Sequence, residues 1–244
     1  MAAMPAYNEE LRIGAMVEAV KPYVDTVVVV DDGSRDKTVQ IAEEAGAMVF
    51  RHVDNKGYGG ALQTIFKIAN KYKPDILVIL DSDGQHNPSD IPHFIEKVNE
   101  GYDLVIGSRF LTQESQERIP RYRKVGMKVL DMATDLSLAG THVSDSQCGY
   151  RAYTRDAYTK IHISGVGMSA GSEILVQITE HKLPIGEIPI VVRYDLEGDT
   201  LESTVRIMSE SVPTFAPPTC ILEILTLFLP RIVPTEPIIP GRLM

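Results

Sequence analysis

The chain has 244 residues, of which 44% are hydrophobic and 23% are charged, a composition that supports one substantial globular core and argues against disorder. The net charge of -9 argues against a nucleic-acid binder, because affinity for phosphate backbones comes mainly from clustered lysine and arginine. The N-terminus lacks a secretory signal pattern, and Cys148 and Cys220 lack metal-ligand spacing, so we expect free thiols in a cytoplasmic protein. The longest apolar run, 220–229, is too short for a membrane-spanning helix of roughly 20 residues.

Short apolar runs alternate with segments of helical period through the first 110 residues, which indicates a parallel sheet covered by helices. The predicted strands are 26–31, 47–51, 76–81 and 103–107, and the predicted helices are 9–21, 36–45, 58–72 and 88–100. A stub before Pro5 would add a first strand, although its letters MAAM form a poor one. We expect Ser34 to cap the second helix and Gly46 to end it, and Asn87 with Pro88 to begin the fourth.

Beyond residue 110 the chain becomes helical and basic. The basic residues there are Arg118, Arg121, Arg123, Lys124 and Lys128. Such a run is either a solvated helix face or a surface that receives a phosphate. A helix is predicted at 172–182 and a strand at 187–193. We therefore predict one α/β domain over residues 1–205, with a Rossmann-like, mostly parallel sheet flanked by helices, and a tail of unassigned role over 206–244 that does not cross a membrane.

Polar residues follow four of the predicted strands, in the segments 5–10, 31–34, 81–85 and 107–109. Any one of these segments is explained by a turn or a helix cap. Ligands of open α/β sheets, however, bind in the crevice at the carboxyl ends of the strands. Four polar segments at that edge therefore predict a binding site there.

Asp81 and Asp83 alternate in extended backbone, so both carboxylates point to the same side. Two adjacent carboxylates repel each other unless a cation lies between them. Mg²⁺ binds in proteins through one or two carboxylates together with substrate phosphates. The pattern favours a metal held against a diphosphate, with Gln85 as a further oxygen donor, over an acid–base pair, which a glycosidase would place on different strands.

The pair Asp31 and Asp32 ends another strand, where one carboxylate can accept hydrogen bonds from a base or ribose while the other begins a turn closed by Gly33. The glycines of the segment 55–60 permit close approach of a ligand or of a neighbouring strand, and the segment is not a Walker loop. His86 is adjacent to the acid pair, and we expect a surface or capping role for it rather than a catalytic one.

Six ordered motifs carry a family resemblance: PAYNEE, VVVVDDGSRDKT, NKGYGGAL, VILDSDGQHNPSDI, VIGSRF and SQCGYRAY. In this order and spacing the chain resembles an inverting family 2 glycosyltransferase with the GT-A fold. Within that family it is most similar to the polyprenyl-phosphate (dolichyl-phosphate) sugar synthases. The resemblance covers about residues 4–195, and the segment 193–204 departs from the Arg-x-x-Gly-x-Ser pattern of those synthases.

The resemblance implies a set of site residues. The implied nucleotide-binding residues are Pro5, Ala6, Tyr7, Glu9, Val30, Asp32, Asp81 and Ser82. The implied ligands of Mg²⁺ or Mn²⁺ are Asp81, Asp83 and Gln85. The implied catalytic residues are Asp83, Arg109, Arg123 and Arg193, with the arginines around the donor and acceptor phosphates.

The expected reaction is transfer of a sugar from a UDP- or GDP-linked donor to a polyprenyl phosphate, whose anionic oxygen needs no general base. A saccharide hydroxyl acceptor would need a base, for which Asp145 or Glu173 is the candidate. A third reading is a nucleotide-sugar-binding module without catalysis. A sugar nucleotidyltransferase is disfavoured, because the acidic PAYNEE stands where that class has a basic glycine-rich loop. Peripheral contact with the cytoplasmic face of the membrane and a homo-oligomer are left open.

Overall fold

The computed structural model describes residues 1–120, 124, 127–128, 130–131, 134–135, 138, 141–167 and 169–194. Arg123, Cys220, the tail 206–244 and the domain boundary predicted at residue 205 lie outside the described residues.

The described residues form a sheet of seven strands in the order β3-β2-β1-β4-β6-β5-β7. The strands are β1 Ala2–Ala6, β2 Val27–Asp31, β3 Met48–Arg51, β4 Ile76–Ile79, β5 Leu104–Ser108, β6 Arg151–Thr154 and β7 Ile185–Pro189. Strand β6 runs antiparallel to both of its neighbours, and the other paired strands are parallel. This architecture confirms the predicted α/β class with a mostly parallel sheet.

Helices connect the strands. They are α1 Ile13–Val20, α2 Thr38–Glu44, α3 Gly57–Tyr72, α4 Ile91–Asn99, α5 Gln113–Arg118, α6 Arg155–Lys160 and α7 Ala170–Glu180, with 3-10 turns at Lys21–Tyr23 and Pro88–Asp90. Within the described ranges, no helix combines the length and apolar character that crossing a bilayer requires.

The first strand expected before Pro5 is present as β1, and despite its poor strand-forming residues it lies in the middle of the sheet between β2 and β4. Its small residues are almost wholly buried. Pro5 is tolerated because Ala2 N donates to Thr26 O on the β2 side, so by alternation the nitrogen of Pro5 faces the other side. Pairing with β4 ends at Ala3, and no ladder bond is lost at Pro5.

The helix ends follow the predicted chemistry in part. Asn87 Oδ1 accepts a hydrogen bond from Ser89 N at 3.1 Å, with Pro88 in the first position of the 3-10 turn that leads into α4. Gly46, two residues beyond the last residue of α2, has a φ of 92°. Ser34 does not cap α2, however. That helix begins at Thr38, and Ser34 Oγ instead accepts from the backbone of Asn8.

Strand β6 was not predicted, and it changes the edge of the site. Arg151 pairs with Ile79 of β4 and with Ile106 of β5. Because β6 is antiparallel to both strands, it begins near their carboxyl ends. Gly149, two residues before β6, therefore reaches the same edge of the sheet. Strand β7 covers only the first part of the predicted segment 187–193.

Candidate active site

A cavity of about 300 Å³ opens at the carboxyl ends of β1, β2 and β4. Its walls are Pro5, Ala6, Tyr7, Glu9, Asp32, Asn55, Gly57, Tyr58, Ala61, Asp81, Ser82 and Asp83. Most of the predicted nucleotide-binding residues thus share one recess. A larger cavity of about 540 Å³, beside Lys97 and Tyr102, shares no lining residue with it and contains none of the predicted ones.

Two backbone contacts fix the shape of this recess. Ser82 is buried, and its Oγ donates to Pro5 O at 2.8 Å, which joins the end of β1 to the residues after β4. Asn8 has a left-handed φ of 57°, and its side chain accepts from Arg35 N at 2.9 Å. The loop that carries Tyr7 and Glu9 is therefore anchored between two neighbouring strand ends.

The carboxylates of the cavity influence one another. Burial raises the pKa of Asp81 to about 6, against the opposing charges of Arg109 and Arg151. Burial and the charge of Asp81 raise the pKa of Asp83. Burial and the charge of Asp83 also raise the pKa of Glu9. These carboxylates therefore face a common space in which negative charge accumulates.

This donor set fits a hard divalent cation that takes its remaining ligands from a bound molecule. Asp81 and Asp83 supply only oxygen, as Mg²⁺ and Mn²⁺ prefer. Among the described residues, no group of three or more histidine, cysteine or acidic side chains could hold a metal without outside ligands. Gln85 does not line the cavity. Its backbone N donates to Asp83 Oδ1 at 2.9 Å, so it orients that carboxylate.

The two acids at the end of β2 have different roles. Asp31 is fully buried, and its Oδ2 accepts from Ser34 N at 3.1 Å, in the turn where Gly33 has a φ of 80°. Asp32 instead lines the cavity, and its carboxylate accepts from the backbone of Lys56 and Gly57 at the start of α3. One acid is structural and the other reaches the site.

Arg109 is held in a largely buried ion pair, with 13% of its own side chain exposed and none of that of Asp145. Its Nε and Nη2 each donate to Asp145 at 2.7 Å, and its backbone N donates to the same carboxylate at 3.0 Å. The nearby negative charge of Asp145 keeps the pKa of Arg109 well above its usual range, against the effect of burial. Glu173 accepts from Ser164 and from Gly165 N, which fastens its own loop. Both acids considered as bases are thus engaged.

The remaining predicted residues lie outside the cavity wall. Val30 is fully buried within β2. Arg193 is exposed, and its backbone N donates to Gln85 O at 3.1 Å. From the basic stretch, Arg118 pairs with Glu114 four residues earlier on α5, the arrangement of a solvated helix face.

Several residues of the site were missed in the sequence. An added Cβ at Gly149 would lie 3.1 Å from both carboxylate oxygens of Asp81 and 3.0 Å from Tyr58 Oη, so the backbone at Gly149 forms a wall against that acid. Arg151 is buried and donates to Ser146 O, Cys148 O and Gly171 O. The glycine spacing of 55–60 was a signal for Tyr58. The motif SQCGYRAY contains Gly149 and Arg151, but its residue types alone did not indicate a role for either of them.

His86 is buried rather than on the surface. Its Nδ1 accepts from Asp81 N at 3.3 Å, and its ring lies 5.0 Å from that of Tyr150. Burial lowers the pKa of His86 to about 4. The ring is therefore neutral near pH 7 and supports the backbone of the acid pair.

Comparisons with known proteins agree with this geometry. The family model described as "Glycosyl transferase family 2" matches residues 2–161. An uncharacterized protein of Methanocaldococcus jannaschii is 40% identical over 78% of this chain and 80% of its own length. The UDP-N-acetylglucosamine–dolichyl-phosphate N-acetylglucosaminyltransferase of Methanococcus voltae is 34% identical over 78% of this chain and 84% of its own length.

Among solved structures, the glucosyl-3-phosphoglycerate synthase of Mycobacterium tuberculosis, in complex with Mn²⁺, UDP and glucosyl-3-phosphoglycerate, superposes with a TM-score of 0.68. It covers 91% of this chain and 78% of its own, at 22% identity, a likeness that establishes the GT-A fold. Together the family model, the relatives and the fold lead to one conclusion: the chain belongs to glycosyl transferase family 2 and is a glycosyltransferase.

Proposed function

We propose that the protein is a metal-dependent, inverting transferase that moves a sugar from a UDP- or GDP-linked donor to a polyprenyl phosphate. The observation that carries the proposal is the cavity in which Asp81 and Asp83 meet the nucleotide-site residues Tyr7 and Asp32 at the carboxyl ends of the strands. The relative from Methanococcus voltae, whose name specifies a dolichyl-phosphate acceptor, supports the choice of acceptor.

In this proposal Asp81 and Asp83 hold a divalent cation, and Gln85 orients Asp83 through its backbone N–H. When bound, the cation supplies Lewis-acid stabilisation of the negative charge that develops on the departing nucleotide diphosphate. The raised pKa values of both acids are consistent with a site that is electrostatically incomplete without a cation.

The transfer is a single displacement at the anomeric carbon. An oxygen of the lipid phosphate attacks that carbon as the bond to the diphosphate oxygen breaks, and the configuration inverts. The second pKa of a phosphate monoester is about 6, so the attacking oxygen is anionic near neutral pH and needs no base. Among the described residues, the two acids considered as bases, Asp145 and Glu173, are held by other groups, which favours this acceptor over a saccharide hydroxyl.

We further propose that Arg109, Arg123 and Arg193 serve the phosphates of donor and acceptor. Arg109 keeps a full positive charge because of its pairing with Asp145. Since the acceptor is a membrane lipid, the protein would work in peripheral contact with the cytoplasmic face of the membrane.

The test is a panel of nucleotide sugars offered with a short polyprenyl phosphate and Mg²⁺ or Mn²⁺, with release of nucleotide diphosphate and formation of lipid-linked sugar as readouts. We expect one UDP- or GDP-linked donor to yield a lipid-linked sugar, and EDTA to abolish the yield. Transfer only to saccharide acceptors would favour the second candidate. Nucleotide binding without any transfer would instead identify a non-catalytic module.

A further inference from the structure

A buried hydrogen-bond chain lies behind the nucleotide cavity and connects Asp32 to α3. His52 follows β3, and its backbone N donates to Asp31 O at 2.8 Å, so the position of the ring is set by the sheet. His52 Nδ1 lies 2.6 Å from Asp32 Oδ1. His52 Nε2 lies 2.8 Å from Thr64 Oγ1, and that hydroxyl is 3.2 Å from Gly60 O.

The hydrogen bonds of this network restrict the orientation of the Asp32 carboxylate. Both His52 and Asp32 are buried, with 7% and 5% of their surfaces exposed. The carboxylate accepts from three donors, namely His52 Nδ1, Lys56 N and Gly57 N, at 2.6 to 2.9 Å. A carboxylate has about four lone-pair positions, so about one is left for a ligand in the cavity.

A single fixed acceptor of this kind distinguishes nucleobases whose ring nitrogen donates a hydrogen bond from those whose ring nitrogen accepts one. Uracil and guanine carry a ring N–H that can donate to a carboxylate, whereas the corresponding ring nitrogens of cytosine and adenine are acceptors. A buried acceptor left without its donor weakens binding by about 5- to 150-fold, so the wrong base is rejected if the carboxylate cannot turn away. Discrimination therefore depends on whatever holds the carboxylate in place.

We propose that His52 and Thr64 are positioning residues for base selectivity: they hold Asp32 so that its remaining lone pair accepts a ring N–H from the donor nucleotide. The inference rests on the proposed function in so far as Asp32 contacts the base. It adds two side chains outside the cavity wall, and it gives a physical reason for a UDP- or GDP-linked donor, whose bases carry a ring N–H.

The experiment measures the dissociation constants of UDP, GDP, CDP and ADP by calorimetry with Mn²⁺, together with KM and kcat for the active donor. His52→Leu removes the donor to Asp32, and Thr64→Val removes the hydroxyl behind it. His52→Asn places an amide N–H near the position of Nδ1 and serves as the rescue. His93→Gln, at an exposed position of α4, is the matched control.

We expect His52→Leu to weaken binding of the preferred nucleotide by about 10- to 100-fold and to narrow its preference over CDP and ADP, with kcat at saturating donor within about threefold. Thr64→Val should show a smaller change in the same direction, His52→Asn should restore most of the preference, and His93→Gln should match the wild type. Thermal unfolding of each variant identifies any that fail to fold, for which Thr64→Val is the second test.

Unchanged selectivity in a folded His52→Leu, or an equal loss for all four nucleotides, would overturn the inference. Selectivity is read from binding, so it stays measurable if the wild type transfers no sugar to a lipid phosphate. That outcome would refute the proposed function alone. Normal transfer by His52→Leu with wild-type selectivity would refute the inference alone.

Discussion

Replacing Gly149 by alanine perturbs the acid pair from the side of β6. The added methyl would lie 3.1 Å from both oxygens of the Asp81 carboxylate and 3.0 Å from Tyr58 Oη, where ordinary contacts are 3.4 to 4 Å. The carboxylate then has to move by a few tenths of an ångström. Displacements of catalytic groups by up to 1 Å lower rates by as much as 100-fold, so we expect kcat/KM to fall by about 10- to 100-fold.

The effect on folding should be much smaller than the effect on catalysis. Overpacking destabilises a protein by about 1–3 kcal/mol. A Gly→Ala change also stabilises the folded state by about 0.4–1 kcal/mol, because it lowers the conformational entropy of the unfolded chain. We therefore expect the free energy of unfolding to drop by about 1–2 kcal/mol, which leaves the protein folded. Urea unfolding measures this quantity.

The matched control is Gly171→Ala in the first turn of α7, where the added methyl meets Arg151 Nη2 at an ordinary 3.4 Å. Both variants are assayed for release of nucleotide diphosphate and for the affinity of Mn²⁺ in the presence of the nucleotide. We expect a weaker Mn²⁺ affinity and a slower reaction for Gly149→Ala alone. Wild-type values for both quantities in that variant would refute the placement of Gly149 against the metal-binding acid.

Three further predictions concern pH, stability and reactivity. Burial raises the pKa of Asp81 to about 6, so protons compete with the cation for this carboxylate. The apparent Mn²⁺ affinity should therefore fall by up to about tenfold per pH unit below pH 6. A Mn²⁺ affinity that stays constant from pH 5 to 8 would contradict this prediction. In the metal-free protein, the Asp81 carboxyl binds a proton more tightly in the folded state than in the unfolded chain. The contribution of Asp81 to the free energy of unfolding should therefore decrease as pH rises from about 4 to 6. Asp145→Ala leaves the largely buried guanidinium of Arg109 without its charged partner and should lower the free energy of unfolding, measured in urea, by about 3–5 kcal/mol. A variant of wild-type stability that loses only transfer to hydroxyl acceptors would instead identify Asp145 as a base. Cys148 is buried, and burial raises the pKa of its thiol to about 12. In a Cys220→Ser variant, iodoacetamide should therefore label the native protein slowly and the unfolded protein rapidly. Rapid labelling of the native protein would show that the thiol is accessible.

The sequence was most informative where one local pattern determined the structure. The β-branched run before Asp31 predicted β2, and the alternation of Asp81 and Asp83 predicted two acids in one recess, which is where both lie. The turn chemistry of Asn87 and Pro88 likewise required only neighbouring residues. These features depend on interactions within a few residues, which a pattern captures.

The misses concern contacts between distant segments. Strand β6 has four residues and begins with a charged one, and it is stabilised by pairing with β4 and β5 on both sides, more than 40 residues earlier in the chain. Its arginine is buried because three backbone carbonyls accept from it, and no local periodicity signals that arrangement. His52 is similar, since its partners Asp32 and Thr64 belong to two other elements.

Strand β1 illustrates a third cause. Its small apolar residues and Pro5 predict only a poor strand when considered alone. Its position between two strands explains why small residues and a missing N–H are acceptable there. Position in the sheet overrides local propensity at this strand.

The most direct test of the account is a crystal structure of the protein with Mn²⁺ and the preferred nucleotide diphosphate, with the metal located by its anomalous scattering. We predict an anomalous peak bonded to the carboxylates of Asp81 and Asp83 and to the diphosphate, with the base beside Asp32. A metal bound elsewhere, or a nucleotide outside the cavity at the carboxyl ends of β1, β2 and β4, would contradict it.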